Sequence, residues 1–170
     1  MTLSRRAFVG LSVAAMALAA CLSPPPETVI YLVRHAEKQA GDDPSLTPEG
    51  LARAEELALT LKQAGITRIY STDTARTRQT AAPLAAALDM PVDIYDASDL
   101  PAFARQLKAQ TGAILVVGHS NTTPSLVEYI GGAPGTEINE AAEYDRLYVL
   151  DITGENVRTE LRRYGSPYRP

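Results

Sequence analysis

Runs of apolar residues alternate with amphipathic segments along most of this 170-residue chain. Two five-residue apolar runs, Val29–Val33 and Ala113–Val117, indicate buried parallel strands. Four further strands are predicted at Ile69–Tyr70, Val92–Tyr95, Arg146–Ile152 and Val157–Arg163. The last two alternate in polarity, so we expect them to be antiparallel and joined around Gly154.

Helical patterns separate these strands. Thr47 is expected to cap the first helix, with Pro48 at its first position and Gly65 beyond its end. Three more helices are predicted: Thr74–Leu88, in which Pro83 either kinks the helix or opens a second one, Leu100–Gln110, and a segment from Thr123 to Gly131. The alternation predicts a three-layer α/β/α sandwich with a central, mostly parallel sheet.

Residues 1–20 are expected to be a signal peptide. Arg5 and Arg6 precede an uncharged apolar run that is too short for a resident membrane helix. The arginine pair resembles a twin-arginine export signal, and the residues up to Cys21 resemble a lipobox in which this cysteine is lipidated. The alternatives are an ordinary signal sequence with a chance arginine pair and a chance cysteine. We expect a protein anchored by lipid to the periplasmic side of a bacterial cell envelope.

The remainder of the chain divides into a proline-rich tether, residues 21–28, and one domain, residues 29–170. Removing two arginines from 16 basic residues leaves 14 against 20 acidic ones, a net charge of −6. This balance argues against nucleic acid as a partner. Cys21 is the only cysteine, which excludes an intrachain disulfide. The sequence gives no sign of an obligate protein partner.

The two histidines, His35 and His119, each follow one of the buried strands. Open α/β sheets build their sites at the carboxyl ends of such strands. Next to His35, the planar guanidinium of Arg34 is suited to grip phosphoryl oxygens while an imidazole nitrogen approaches phosphorus. Alone, the Arg-His pair is a weak signal, and an ion-paired Arg34 with a structural His35 at the rim would explain it better.

Two more arginines, Arg76 and Arg78, begin the helix after the second strand. Positive side chains oppose the helix dipole there, and a bound anion would remove the conflict. We therefore assign Arg76 to phosphate binding and Arg78 to the solvated surface.

The segments Arg34–Glu37, Ser71–Thr80 and Gly118–Ser120, in this order and spacing, resemble the histidine phosphatase superfamily. The likeness covers essentially residues 29–152 and is closest to its small phosphatases. It implies the phosphoglycerate-mutase-like fold, which agrees with the predicted order of elements.

The resemblance also implies roles for individual residues. His35 is the expected nucleophile, which becomes transiently phosphorylated. Arg34, Arg76 and His119 are expected to surround the transferring phosphoryl group, with His119 as a cationic donor whose pKa the bound anion raises. We expect no metal and no cofactor, because side chains supply the positive charge. Asn121 is a candidate phosphate ligand, although helix capping explains it equally well.

The proton donor to the leaving group is less clear from the sequence. We assign it to Asp96, which follows the third strand; Asp99, a possible helix cap, and Glu37 are the alternatives. The family commonly uses a glutamate in this region, whereas this chain has aspartates. The sequence therefore departs from the family pattern at the proton donor and not at the nucleophile. A cluster of acidic residues from Glu137 to Asp145 is expected to be a solvated loop.

The expected function is a metal-independent phosphomonoesterase that acts through phosphohistidine on a small phosphate ester outside the cytoplasm. The alternatives are an inactive phosphate-binding module, and a phosphohistidine phosphatase or mutase of the same family.

Overall fold

A computed structural model describes residues 28–169. The signal peptide (residues 1–20), the lipidation site Cys21 and nearly all of the tether lie outside the described residues. None of the helices between residues 28 and 169 has the length and hydropathy needed to cross a membrane.

Six strands form one sheet, and their bounds are β1 (Thr28–Arg34), β2 (Ile66–Ser71), β3 (Asp93–Ile94), β4 (Gly112–Gly118), β5 (Arg146–Thr153) and β6 (Asn156–Arg163). Their order across the sheet is β3-β2-β4-β1-β5-β6. The first four strands in this order pair in parallel, whereas β5 pairs antiparallel with both of its neighbours, β1 and β6. The predicted mostly parallel sheet is confirmed, as is the hairpin, whose turn contains Gly154 with a φ of 59°.

Four helices connect the strands, with bounds α1 (Pro48–Leu61), α2 (Ala75–Leu88), α3 (Leu100–Lys108) and α4 (Thr122–Ile130). Thr47 caps α1 as predicted and accepts a hydrogen bond from the Gly50 amide at 3.1 Å. Pro83 lies within the single helix α2 and does not open a second one.

The hydrophobic core has two halves, one on each face of the sheet. Leu57, Leu61 and Leu84 of α1 and α2 pack on one face. Phe103 and Leu126 of α3 and α4 pack on the other. The three-layer sandwich is therefore confirmed, and the carboxyl ends of β1, β4 and β2 lie side by side at one edge of its middle layer.

Candidate active site

The register of the two central strands brings the histidines together. Arg34 at the end of β1 pairs with Gly118 at the end of β4, so His35 and His119 each lie one residue beyond a matched pair. The His35 amide also donates to the Gly118 carbonyl at 2.8 Å. The two imidazole rings are 5.5 Å apart between centroids, with an angle of 68° between their planes. The predicted convergence of the two side chains is observed.

At Gly118 of β4, a side chain would crowd three neighbouring hydroxyl groups. A Cβ there would lie 2.8 Å from the Tyr95 hydroxyl, 2.9 Å from the Thr122 hydroxyl and 3.0 Å from the Thr123 hydroxyl. The Thr122 oxygen accepts from the His119 amide at 2.9 Å. The close approach of α4 to β4 therefore fixes the backbone that carries His119.

His35 is prepared to act as a nucleophile. Its Nδ1 lies 2.8 Å from the Ala36 carbonyl oxygen, which can only accept, so Nδ1 carries the proton and Nε2 keeps its lone pair. Burial lowers the pKa of His35 to about 3, and the charges of Arg34 and Arg76 and the ring of His119 act in the same direction. The ring is therefore neutral at physiological pH.

His119 has two polar neighbours, one at each ring nitrogen. Arg76 NH2 lies 3.4 Å from Nδ1, and the Thr72 hydroxyl lies 2.9 Å from Nε2. Burial, with the charges of Arg76 and Arg34, lowers the pKa of this ring to about 4. The protein's own groups thus favour a neutral His119, and the predicted cation depends on the negative charge of a bound phosphoryl group.

Arg34 does more than the sequence predicted. Its guanidinium is almost fully buried and donates to the backbone carbonyls of Asn139 (3.3 Å), Glu140 (2.6 Å) and Glu143 (3.0 Å). Its Cζ also lies 4.0 Å from the centroid of the Tyr144 ring. Arg34 therefore holds the segment between α4 and β5 against the site. This structural role differs from both interpretations of the sequence, phosphate binding and an ion pair.

Two guanidinium nitrogens at the site have no hydrogen-bond partner among residues 28–169. They are Nε of Arg34 and Nε of Arg76, and both are buried. Buried donors are normally satisfied, so these two atoms are candidates for binding an anion.

The two arginines at the start of α2 differ in exposure and in their partners. The side chain of Arg76 is 20% exposed and faces His119, whereas Arg78 is half exposed and pairs with Asp73. The sequence missed Asp43, whose carboxylate accepts from the Ala75 amide at 2.8 Å and lies 3.5 Å from Arg76 NH1. Asp43 thus supplies negative charge at the amino end of α2.

The structure does not join the predicted proton donor to the histidines by any hydrogen bond or ion pair among the described residues. Asp96 is exposed, and its carboxylate accepts from the Ser98 amide at 2.8 Å. Of the two alternatives, Asp99 caps α3 through the Ala102 amide at 3.0 Å. Glu37 is held by Arg53, whose NH2 lies 2.8 Å from its Oε1. The role of Asp96 stays a prediction.

Asn121 likewise forms no hydrogen bond with either histidine among the described residues. It is exposed, makes no side-chain capping bond to α4, and lines a neighbouring cavity of about 460 Å³ together with Ser120 and Glu140. Its role as a phosphate ligand also stays a prediction.

The prediction of a solvated acidic loop is wrong for two of its members. Glu143 and Asp145 are 3% and 1% exposed. Arg146 donates to Glu143 at 2.6 Å, and Arg163 donates to Glu143 at 2.7 Å and to Asp145 at 2.6 Å. Although burial raises the pKa of Glu143, these hydrogen bonds and one from the Asn139 amide outweigh it and lower the pKa to about 2.

Besides Asp43, three more residues at the site were missed by the sequence analysis. Tyr144 lies 6.1 Å from His35 between ring centroids, and Thr72 and Thr77 form hydrogen bonds beside His119. The threonines repeat at positions 72, 74, 77 and 80, which was an available signal. Tyr144 meets Arg34 only through the fold, and no local pattern marks it.

The site therefore combines two imidazoles with two guanidinium groups. Within residues 28–169, no group of three or more His, Cys, Asp or Glu side chains is arranged to hold a metal ion. Two imidazoles and two guanidinium groups placed in this way suit a phosphoryl group. Its oxygens can accept hydrogen bonds from both arginines while a ring nitrogen approaches phosphorus.

Comparison with known families gives a match over the first half of the domain. Residues 30–98 match the model of the histidine phosphatase superfamily, branch 1. These residues include His35, Arg34 and Arg76. The chain is also 42% identical over 66 residues to a probable phosphoglycerate mutase, GpmB, from Proteus mirabilis (strain HI4320). That alignment covers 34% of this chain and only 31% of the relative.

Solved structures show the same fold over most of the domain. The protein histidine phosphatase SixA, complexed with tungstate, superposes with a TM-score of 0.62 at 19% identity, covering 82% of this chain and 97% of that one. A mycobacterial glucosyl-3-phosphoglycerate phosphatase gives 0.63 at 13% identity, covering 81% and 98%. Phosphoserine phosphatase from Entamoeba histolytica gives 0.58 at 17% identity, covering 82% and 97%.

The family match contains the Arg34–Glu37 motif, and the pairing of β1 with β4 brings His119 to this motif from the second half of the domain. Residues 30–98 thus match the histidine phosphatase superfamily in sequence, and the domain shares its fold with solved phosphatase structures.

Proposed function

We propose that this protein is a phosphomonoesterase that transfers a phosphoryl group first to His35 and then to water. The observation that carries the proposal is the convergence of His35, His119 and Arg76, in which Nε2 of His35 keeps a free lone pair. Two buried arginine nitrogens without partners among the described residues supply further donors for phosphoryl oxygens.

The reaction proceeds in two displacements. Nε2 of His35 attacks phosphorus, a P–N bond forms, the ester P–O bond breaks, and the leaving oxygen takes a proton from Asp96, the predicted donor. Water then attacks the phosphohistidine and gives a proton back to Asp96, a P–O bond forms, the P–N bond breaks, and inorganic phosphate leaves. Arg34, Arg76 and His119 stabilise the charge on the phosphoryl oxygens in both steps.

The test is hydrolysis of p-nitrophenyl phosphate by the wild type and by His35→Ala. The variant is expected to lose turnover, and acid-labile phosphate should be trapped on the wild type but not on the variant in rapid-quench experiments. Activity of His35→Ala at the wild-type level would overturn the mechanism. Binding of phosphate by the wild type without turnover of any substrate in a broad panel would indicate a phosphate-binding module instead.

A second candidate function is that of a phosphohistidine phosphatase. It is favoured by the positions of the three carboxylates considered as proton donors. Asp99 caps a helix, Glu37 is held by Arg53, and Asp96 is exposed, so among the described residues none of the three forms a hydrogen bond or ion pair with either histidine. A site without a positioned acid favours leaving groups that need little help from one, such as aryl oxides or a protonated imidazole. A kcat/KM for phosphohistidine far above that for alkyl phosphates would select this candidate. Similar values for alkyl and aryl phosphates would exclude it.

We further propose that the domain acts outside the cytoplasm, tethered through a lipid on Cys21. The support is the sequence of residues 1–21 alone. Expression of the full chain with labelled palmitate should place the label in the membrane fraction. Cys21→Ala should lose the label while retaining hydrolysis of p-nitrophenyl phosphate, and a labelled Cys21→Ala protein would contradict the proposal.

A further inference from the structure

The second histidine has a hydrogen-bonded support of its own. Thr72 Oγ1 lies 2.9 Å from Nε2 of His119. The same hydroxyl donates to Thr77 Oγ1 at 3.0 Å, and Thr77 Oγ1 in turn donates to the Thr72 carbonyl at 2.9 Å. Thr72 and Thr77 are 4% and 0% exposed, so water does not compete for these bonds.

The direction of this chain of hydrogen bonds defines the protonation of the ring. A guanidinium only donates, so Nδ1 of His119 accepts from Arg76. A neutral ring carries one proton, so Nε2 then holds it and donates to the Thr72 hydroxyl, whose own proton is directed to Thr77. The tautomer with the proton on Nε2 therefore satisfies Arg76, Thr72 and Thr77 together.

We infer that Thr72 is a positioning residue that fixes His119 as the Nε2–H tautomer and directs its Nδ1 edge toward Arg76 and the transferring phosphoryl group. The inference rests on the proposed function for its catalytic consequence. Because Nε2 already carries a proton, a second proton enters at Nδ1, where the ring as a cation donates to the substrate. Thr77 holds the Thr72 hydroxyl in the orientation that this requires.

The direct test reads the tautomer and not the activity. Two-bond ¹H–¹⁵N spectra of protein with labelled histidine distinguish protonated from unprotonated ring nitrogens. We expect Nε2–H for His119 in the wild type and in Thr72→Ser, and a loss of this preference in Thr72→Val, which has the same shape without the hydroxyl. Retention of the Nε2–H tautomer in Thr72→Val would overturn the inference.

Thr77→Val provides a second variant, since Thr72→Val places a methyl group next to the ring. Without Thr77 Oγ1, the Thr72 hydroxyl is free to donate to Nε2, so the preference of the ring for the Nε2–H tautomer is expected to weaken. Full retention of the Nε2–H preference in folded Thr77→Val would likewise overturn the inference.

Kinetics then separate positioning from a purely structural effect. Thr72→Val should lower kcat for p-nitrophenyl phosphate about ten- to a hundredfold with a smaller change in KM, and Thr72→Ser should restore most of it. Thr60→Val is the matched control, because Thr60 is exposed and bonds only within α1. A tautomer change without any change in kcat would refute the positioning role. Failure of the wild type to turn over any substrate would refute the proposed function and leave the spectra to decide the tautomer.

Discussion

The guanidinium of Arg34 is stacked on the ring of Tyr144, with Cζ 4.0 Å from the ring centroid. Arg34 ends a central strand, and Tyr144 lies 110 positions later, just before β5. The same guanidinium donates to three carbonyls of the segment that precedes Tyr144. A residue predicted only to bind phosphate thus also orders the wall of the site, so substrate binding and folding share one side chain.

We predict that Arg34→Lys destabilises the protein and weakens substrate binding. A lysine lacks the planar fork that reaches three carbonyls, and the buried Glu143 carbonyl that it abandons costs about 1–3 kcal/mol. Urea unfolding should show this loss, and KM for p-nitrophenyl phosphate should rise. Tyr144→Phe keeps the stacked ring and serves as the control, with stability near the wild type. An unfolding free energy for Arg34→Lys equal to that of the wild type would show that the segment is held by other contacts.

Arg76 and Arg78 offer a comparison within one helical turn. Arg76 lies against His119 and is expected to stabilise charge that grows in the transition state, so Arg76→Ala should lower kcat/KM about 10²- to 10³-fold and weaken inhibition by phosphate. Arg78 pairs with Asp73 at the surface, and Arg78→Ala should leave both quantities within about twofold. Steady-state kinetics and circular dichroism of both variants check this. Equal effects of the two substitutions would show that Arg76 does not act in the site.

Much of this site follows from a property that is visible in the sequence, namely polar motifs directly after buried apolar runs. Parallel neighbours end at one edge, so His35 and His119 were predictable as a pair once Val29–Val33 and Ala113–Val117 were recognised as strands. The order of elements, and with it the three-layer fold, follows from the same alternation.

The remaining features depend on long-range contacts that no local pattern reveals. The sequence predicts a solvated Glu143 because several nearby residues are acidic. In the structure this side chain is buried and forms hydrogen bonds with Arg146 and with Arg163 of the next strand. In the sequence, Thr72 has the features of a loop residue. Only the pairing of β2 with β4 brings His119 next to it. Side-chain partners across strands are set by register, which periodicity alone does not give.

Gly118→Ala is expected to disturb both the fold and His119. The new methyl group would lie 2.8 Å from the Tyr95 hydroxyl and 2.9 Å from the Thr122 hydroxyl, and crowding of this kind costs about 1–3 kcal/mol. Chemical denaturation should show the loss and kcat should fall with it. Adding Tyr95→Phe removes one of the clashing oxygens, so the double variant should recover part of the stability. Strict additivity of the two substitutions would show that this contact is not the source of the cost.

The stability of the domain should fall in two stages as the medium becomes acidic. His35 and His119 have pKa values lowered to about 3 and about 4, so below the ordinary histidine value of 6.5 the unfolded chain binds more protons and folding weakens. Glu143, with a pKa of about 2 against an ordinary 4.5, contributes stability that is complete above pH 4.5 and is lost as the pH falls toward 2. The second stage amounts to at most roughly 3 kcal/mol.

Urea unfolding at pH values between 7.5 and 3 should resolve these stages. Glu143→Gln is expected to be less stable than the wild type at neutral pH and to lose less stability below pH 4.5, because it has no carboxylate to protonate there. Glu140→Gln is the matched control, since this side chain is exposed and only its backbone carbonyl contacts Arg34. Parallel stability profiles for Glu143→Gln and the wild type below pH 4.5 would show that the buried network does not govern acid unfolding.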